Sequence, residues 1–302
     1  MTNVARAFTL RSPKVFSPSR RTSSPLIKHT TSPQTLGRSV LVVFLEFEFG
    51  VSPAEATTKI MESLKNQIAV VTGASSGIGK AIALSLAAQG AELCLVARRR
   101  ELLDDVAKQA QELSSRSHVC PADLTKDDDV RALGERVQKD FAHVNILVLC
   151  GGAIFHGLLQ KASLDEFDLM YRSNVRGHYL MIQTLLPMLR KAKGQIVFIN
   201  SSAGLRSPAT TGQFSATQHA FRSIADSLRE EVNSDGIRVL SVFPGRTATP
   251  RISKLFEKEG RAYQPDLLMQ PEDIAEMVTH SLRLPRTAEV TDISIRPMQK
   301  SY

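Results

Sequence analysis

Ala69-Val70-Val71-Thr72-Gly73-Ala74-Ser75-Ser76-Gly77-Ile78-Gly79 is the stretch that decides the architecture of this 302-residue chain. An apolar run rich in valine ends at a glycine turn, and an amphipathic segment with Ile78, Ala81, Ile82, Ser85 and Leu86 on one stripe follows at once. Strand, tight turn and helix in that order present free helix N–H groups to the turn, which favours an anion there. The glycines let the backbone turn, approach a pyrophosphate and pack helix against strand. Thr72, Gly73, Ser75, Ser76, Gly77, Ile78 and Gly79 are therefore candidate dinucleotide contacts, in the spacing T-G-x-x-x-G-x-G rather than G-x-G-x-x-G. Gly90 suits the position just past the helix end, where positive φ is common.

Working outward, strand-like runs recur at Ile68-Val71, Leu93-Val96, His118-Cys120, Ile146-Leu149, Ile196-Ile199, Val239-Phe243 and Val290-Ile295, with stretches of helical period between them. The alternation predicts an α/β fold, a single doubly wound parallel sheet of about seven strands with helices on both faces, Rossmann-like. The longest helices are expected over 164–190 and 214–233. Gln270-Pro271-Glu272-Asp273 reads as a helix start, proline being at home in the first turn. The charged segment 251–269 reads as a mobile flap.

The second strand ends Leu95-Val96-Ala97-Arg98-Arg99. An NAD site places a carboxylate for the ribose 2′-hydroxyl about 20 residues after the glycine turn. Ala97 offers none, whereas Arg98 offers a planar, bidentate donor for a 2′-phosphate. The expected cofactor is NADP(H). A solvated arginine cluster at a helix start would oppose the helix dipole and leave the grouping unexplained.

Residues 1–60 form a basic, Ser/Thr-rich extension. They hold 8 of the 38 Lys and Arg residues but only 3 of the 30 Asp and Glu. Such a composition resembles a transit peptide to a plastid or other organelle. Translation from Met61, just ahead of the first strand, would instead give a cytoplasmic product of residues 61–302. With the leader set aside, the formal charge of +8 falls to about +3, and no basic face remains for nucleic acid. Val40–Leu45 is too short to span a bilayer and runs into Glu46 and Glu48. Cys94, Cys120 and Cys150 lack metal or redox spacing and read as reduced, packed thiols.

These motifs resemble the short-chain dehydrogenase/reductase family over residues 65 to 298. The resemblance implies that Asp123 and Leu124, in Asp123-Leu124-Thr125, meet the adenine. It implies that Pro244, Gly245 and Thr247, in Pro244-Gly245-Arg246-Thr247-Ala248-Thr249, hold the nicotinamide end. Gly151, in Leu149-Cys150-Gly151-Gly152, stands where relatives carry Asn-Asn-Ala-Gly, so two polar side chains are lost there. A small carbonyl or alcohol substrate and a homo-oligomer, dimer or tetramer, are likewise implied.

In that family the chemistry belongs to Asn, Ser, Tyr and Lys. Asn174 fits the first position and Ser201, thirteen residues before Phe214, the second. Phe214 and Gln218 occupy the Tyr and Lys positions in Gly212-Gln213-Phe214-Ser215-Ala216-Thr217-Gln218-His219. Phenylalanine has no proton to give. Gln218 has no charge, although its amide can still bond ribose hydroxyls. Loss of general acid catalysis costs about 10²–10⁴-fold in rate, roughly 2.7–5.5 kcal/mol. His156, His219 and Tyr263 are the replacement donors to consider. Two outcomes stay open: a slow oxidoreductase with an altered donor, or a near-silent dinucleotide-binding sensor, scaffold or hetero-oligomer subunit.

Overall fold

The computed structural model describes residues 63–299, which fall within one compact unit. The leader expected over 1–60 and the alternative start at Met61 lie outside the described residues.

Seven parallel strands form one sheet in the order β3-β2-β1-β4-β5-β6-β7. They are β1 (Ile68–Thr72), β2 (Glu92–Ala97), β3 (Ser117–Pro121), β4 (Ile146–Leu149), β5 (Gln195–Ile199), β6 (Arg238–Pro244) and β7 (Asp292–Ile295). All seven coincide with the runs read from sequence, β7 starting two residues later than expected. Strand order reverses between β1 and β4, whose register pairs Ala69 with Ile146 and Val71 with Val148. In open α/β sheets a ligand cleft forms outside the carboxyl ends of the strands at such a point.

Helices cover both faces, so the central strands are apolar on both sides. Against Ala69, Val71, Leu93 and Val148 pack α1 (Gly77–Ala88), α2 (Arg100–Glu112) and α8 (Pro271–Leu282). Against Val70, Leu147 and Phe198 pack α3 (Asp127–Asp140), α5 (Gly177–Ala192) and α6 (Gly212–Val232). Two shorter helices, α4 (Leu164–Tyr171) and α7 (Pro250–Lys258), stand at the carboxyl end of the sheet.

One expectation needs correction, and another gains detail. The helix expected over 164–190 is α4 and α5 joined through one π-helical turn, Arg172–Arg176, and it runs on to Ala192. The segment expected as a mobile flap begins with helix α7. Thr249 caps it, its hydroxyl accepting from the Ile252 N–H at 3.3 Å, and Pro250 opens it. Gln270 behaves as read: its N–H donates to the Asp273 carboxylate at 2.8 Å to start α8.

Cys94 and Cys120, on adjacent strands, are buried free thiols with sulfurs 3.1 Å apart. That contact and burial push the Cys94 thiol well up. Among the described residues no helix is long and apolar enough to cross a membrane, and no cluster of metal-ligating side chains occurs.

Candidate active site and dinucleotide cleft

A cleft of about 590 Å³ opens over the carboxyl ends of β1, β4 and β5. Its floor is the glycine turn. Gly73 and Gly77 adopt φ of +66° and +55°, which other residues rarely hold. A Cβ on Gly73 would stand 3.0 Å from the Gly151 backbone, and one on Gly77 would stand 2.9 Å from the Thr249 methyl. Neither glycine therefore has room for a side chain, and both line the cleft. The backbone cradle at the start of α1 fits a dinucleotide pyrophosphate.

Thr72 does not reach the cleft. Fully buried, its hydroxyl accepts from the N–H groups of Cys150 (2.8 Å) and Gly151 (3.2 Å) and donates to Val148 O (3.2 Å). It braces the end of β4 against the glycine turn. Gly73, Ser75, Ser76, Gly77, Ile78 and Gly79 do line the cleft, as do Arg98, Asp123, Leu124, Gly151, Pro244, Gly245 and Thr247. Asp123 accepts from the Thr125 N–H (3.0 Å) and hydroxyl (2.8 Å), fixing the loop after β3. Cys150 borders the cleft, where burial pushes its thiol up to about 12 despite Arg251 nearby.

The four positions of the catalytic set also meet here: Asn174, Ser201, Phe214 and Gln218 all line the cleft. The π turn presents Asn174, 3% exposed, with every polar atom engaged. Its Oδ1 accepts from the N–H of Ala153 (2.7 Å) and the Ser173 hydroxyl (3.0 Å). Its Nδ2 donates to Ala153 O (2.9 Å) and Thr217 Oγ1 (3.1 Å). Thr217 in turn donates to Phe214 O at 2.8 Å. Asn174 therefore ties the loop after β4 to the helix turn that carries Phe214.

Ser201 Oγ accepts from the Ala203 N–H at 3.1 Å, which leaves its own proton available to a substrate oxygen. Asn200 fixes this segment, accepting from the Ser201 N–H (2.7 Å) and donating to Gln218 O (3.0 Å). The side-chain amide of Gln218 makes no hydrogen bond among the described residues, so it is available to a ligand. Phe214 fills its position with a ring and nothing that can protonate oxygen.

Of the replacement donors, His156 alone stands beside Phe214, ring centroids 6.2 Å apart. Its Nδ1 is 2.8 Å from Glu259 Oε1. Although burial acts to raise the Glu259 carboxyl, bonds to His156 and Arg261 hold it below the usual range. His219 Nδ1 bonds back to Ser215 O at 2.9 Å, and Tyr263 packs edge-on against Phe256; none of the three, His156 included, lines the cleft itself.

Sequence reasoning missed His178 and the cleft face of α7. His178 is buried beneath the site, stacked on Phe221 at 5.0 Å, and burial lowers its pKa to about 4. Nothing in a lone histidine within a helical stripe announces this. Arg251, Lys254 and Lys258 line the cleft, and their i, i+3, i+7 spacing was the available signal. Another depression of about 610 Å³, bordered by Asp127–Asp129, Arg172 and Arg176, has no glycine cradle and none of the catalytic positions.

The short chain dehydrogenase family model matches residues 67–260. An uncharacterized oxidoreductase of Staphylococcus epidermidis is 31% identical over 239 residues, 79% of this chain and all of that protein. One from Staphylococcus aureus is 33% identical over 241 residues, with the same shares. Among solved structures, an alcohol dehydrogenase from Thermococcus sibiricus complexed with 5-hydroxy-NADP superposes with a TM-score of 0.71 at 27% identity. It covers 79% of this chain and all of its own. A metagenomic short-chain oxidoreductase in complex with NADP gives 0.68 at 28%, with the same coverage. Sequence match, sheet order and glycine cradle agree: the chain belongs to the short-chain dehydrogenase/reductase family.

Proposed function

We propose that this protein is an NADP(H)-dependent oxidoreductase for a small carbonyl or alcohol substrate, working slowly because its proton-transfer apparatus is altered. The observation that carries the reading is one cleft that gathers the glycine turn, Asn174 and Ser201 but sets Phe214 and Gln218 at the Tyr and Lys positions. Cofactor choice rests on Arg98 at the end of β2, with Ala97 where a ribose-binding carboxylate would stand, and on the NADP-bound solved relatives.

When bound, NADPH supplies the hydride; the protein must orient the carbonyl and deliver a proton. Ser201 donates its hydroxyl proton as a hydrogen bond to the carbonyl oxygen. Asn174 keeps Ala153 and the Phe214 turn in place. Gln218 would hold the ribose hydroxyls of the bound nucleotide through its amide but cannot depress a neighbour's pKa. Protonation of the developing alkoxide falls to water or to His156, whose ring flanks Phe214 and whose orientation Glu259 fixes.

A second reading, a near-silent nucleotide-binding protein, is favoured by the loss of both the phenol and the amine. Two measurements separate the readings. Fluorescence titration tests for NADPH preference over NADH, and a panel of aldehydes, ketones and alcohols is assayed before and after Phe214→Tyr/Gln218→Lys. Turnover that is slow and rises in the double variant supports the oxidoreductase. No turnover in either form, with NADPH still bound, favours the silent protein.

The same reading includes a homo-oligomer, for which Leu164, Leu169, Tyr171 and Tyr179 on α4 and α5 leave apolar surface exposed. Light scattering tests it. It also includes organelle import of residues 1–60, tested with C-terminal fluorescent fusions starting at Met1 and at Met61.

A further inference from the structure

Helix α7 is two-faced with respect to the cleft. Arg251, Lys254, Leu255 and Lys258 share one side and all line it. Glu257 and Glu259 do not; Glu259 is taken up by His156 and Arg261. The rotation of the helix is fixed from behind by Phe256, 4% exposed, which lies against Arg246, Arg261 and Tyr263. Three cations are therefore held toward the cleft.

No carboxylate among the described residues lies within ion-pair distance of Arg251, Lys254 or Lys258. Asp123 is the single carboxylate in the lining, and Thr125 holds it at the opposite, β3 end. A cofactor accounts for part of this charge. Arg251, at the start of α7, faces Cys150 and Arg98 beside the phosphate-binding turn. Lys258 lies at the other end of α7, its Nζ 5.2 Å from the ring of Phe155. Phe155 lines the cleft on the loop whose next residue, His156, flanks Phe214. A lysine there faces the substrate end, between an apolar wall and open solvent.

We propose that the substrate is an anionic carbonyl compound, its charged group held by Lys254 and Lys258 and its apolar body against Phe155 and Phe214. This rests on the oxidoreductase reading above and adds the substrate class. The lysines act by charge rather than by shape, so a neutral isostere of the same length binds less well.

The test uses the full chain with NADPH bound. Formyl carboxylic acids of four to ten carbons and their methyl esters are titrated as matched pairs, with 4-formylbenzoate and methyl 4-formylbenzoate among them. Bound NADPH fluorescence gives the affinity, and KM follows where turnover is measurable. At low salt the best acid should bind about fivefold or more tighter than its ester. That advantage should vanish in Lys254→Gln/Lys258→Gln and shrink with added sodium chloride, while the NADPH dissociation constant stays within about twofold. Acids binding no better than esters across the series overturn the proposal. So does a double variant that weakens NADPH binding itself, since the lysines would then serve cofactor phosphate. Failure of the chain to bind NADPH at all is a separate result that sinks the parent reading instead.

Discussion

The ring of His156 stands 6.2 Å from the ring of Phe214, and its Nδ1 is held at 2.8 Å from a carboxylate oxygen of Glu259. An imidazole oriented by a carboxylate thus flanks the ring that replaces the family's acid. If His156 delivers the proton, His156→Ala lowers kcat by about 10²-fold or more with little change in NADPH affinity. Unchanged steady-state rates would assign the proton to water.

Restoring the family residues supplies a sharper measure. Phe214→Tyr/Gln218→Lys should raise kcat by about 10²–10⁴-fold, and Phe214→Tyr alone by less, because Gln218 leaves the phenol pKa near 10. Rapid turnover by the unaltered protein, unimproved by the pair, would contradict the missing-acid account.

Cofactor choice should turn on Arg98. Arg98→Ala removes charge-assisted bonds to a 2′-phosphate and should weaken NADPH by about 10–100-fold, from roughly 1.5–3 kcal/mol. NADH, lacking that phosphate, should be nearly unaffected. Parallel titrations of both nucleotides check the difference, and equal losses would point to a general electrostatic effect.

Asn174 should matter to folding as much as to turnover. Asn174→Ala leaves the Ala153 N–H and C=O and the Thr217 hydroxyl without their buried partner. An expected loss of about 2–4 kcal/mol follows from the desolvation of such groups. Urea denaturation measures it. Asn174→Asp keeps the acceptor side and loses both donors, so its loss should be only partly smaller.

His178 sets a pH dependence of stability. Burial lowers its pKa from an ordinary 6.5 to about 4, so the unfolded chain binds the proton more readily. Stability is complete above about pH 6.5, falls as the pH drops, and has lost this contribution by about pH 4. The full span is about 3 kcal/mol. Denaturation midpoints between pH 4 and 7 should show a slope that flattens in His178→Gln; an equal slope in the variant would move the effect elsewhere.

Much of this site is written along the chain, because strands buried on both faces must be continuous apolar runs and a phosphate turn must use glycine. Every proposed cofactor contact except Thr72 reaches the cleft. Thr72 misled because its hydroxyl suits a ligand as well as it suits the backbone of Cys150 and Gly151. The face of α7 escaped notice because the same charged segment reads equally as a solvated loop, and only packing of Phe256 fixes which side looks inward. The hydrogen bonds of Asn174 join residues 153, 174 and 217, a closure that no local pattern contains.

The widened turn at Arg172–Arg176 has a consequence for how such a site can diversify. One surplus residue there sets the azimuth of α4 relative to α5, so α4 presents a different side than an unbroken α-helix would. Substitutions in α4 can reshape the entrance beside Leu169 without unseating the core contacts of Met181 and Leu185. Removing a single residue from the turn would re-phase the two and swing Asn174 out of line with Ala153.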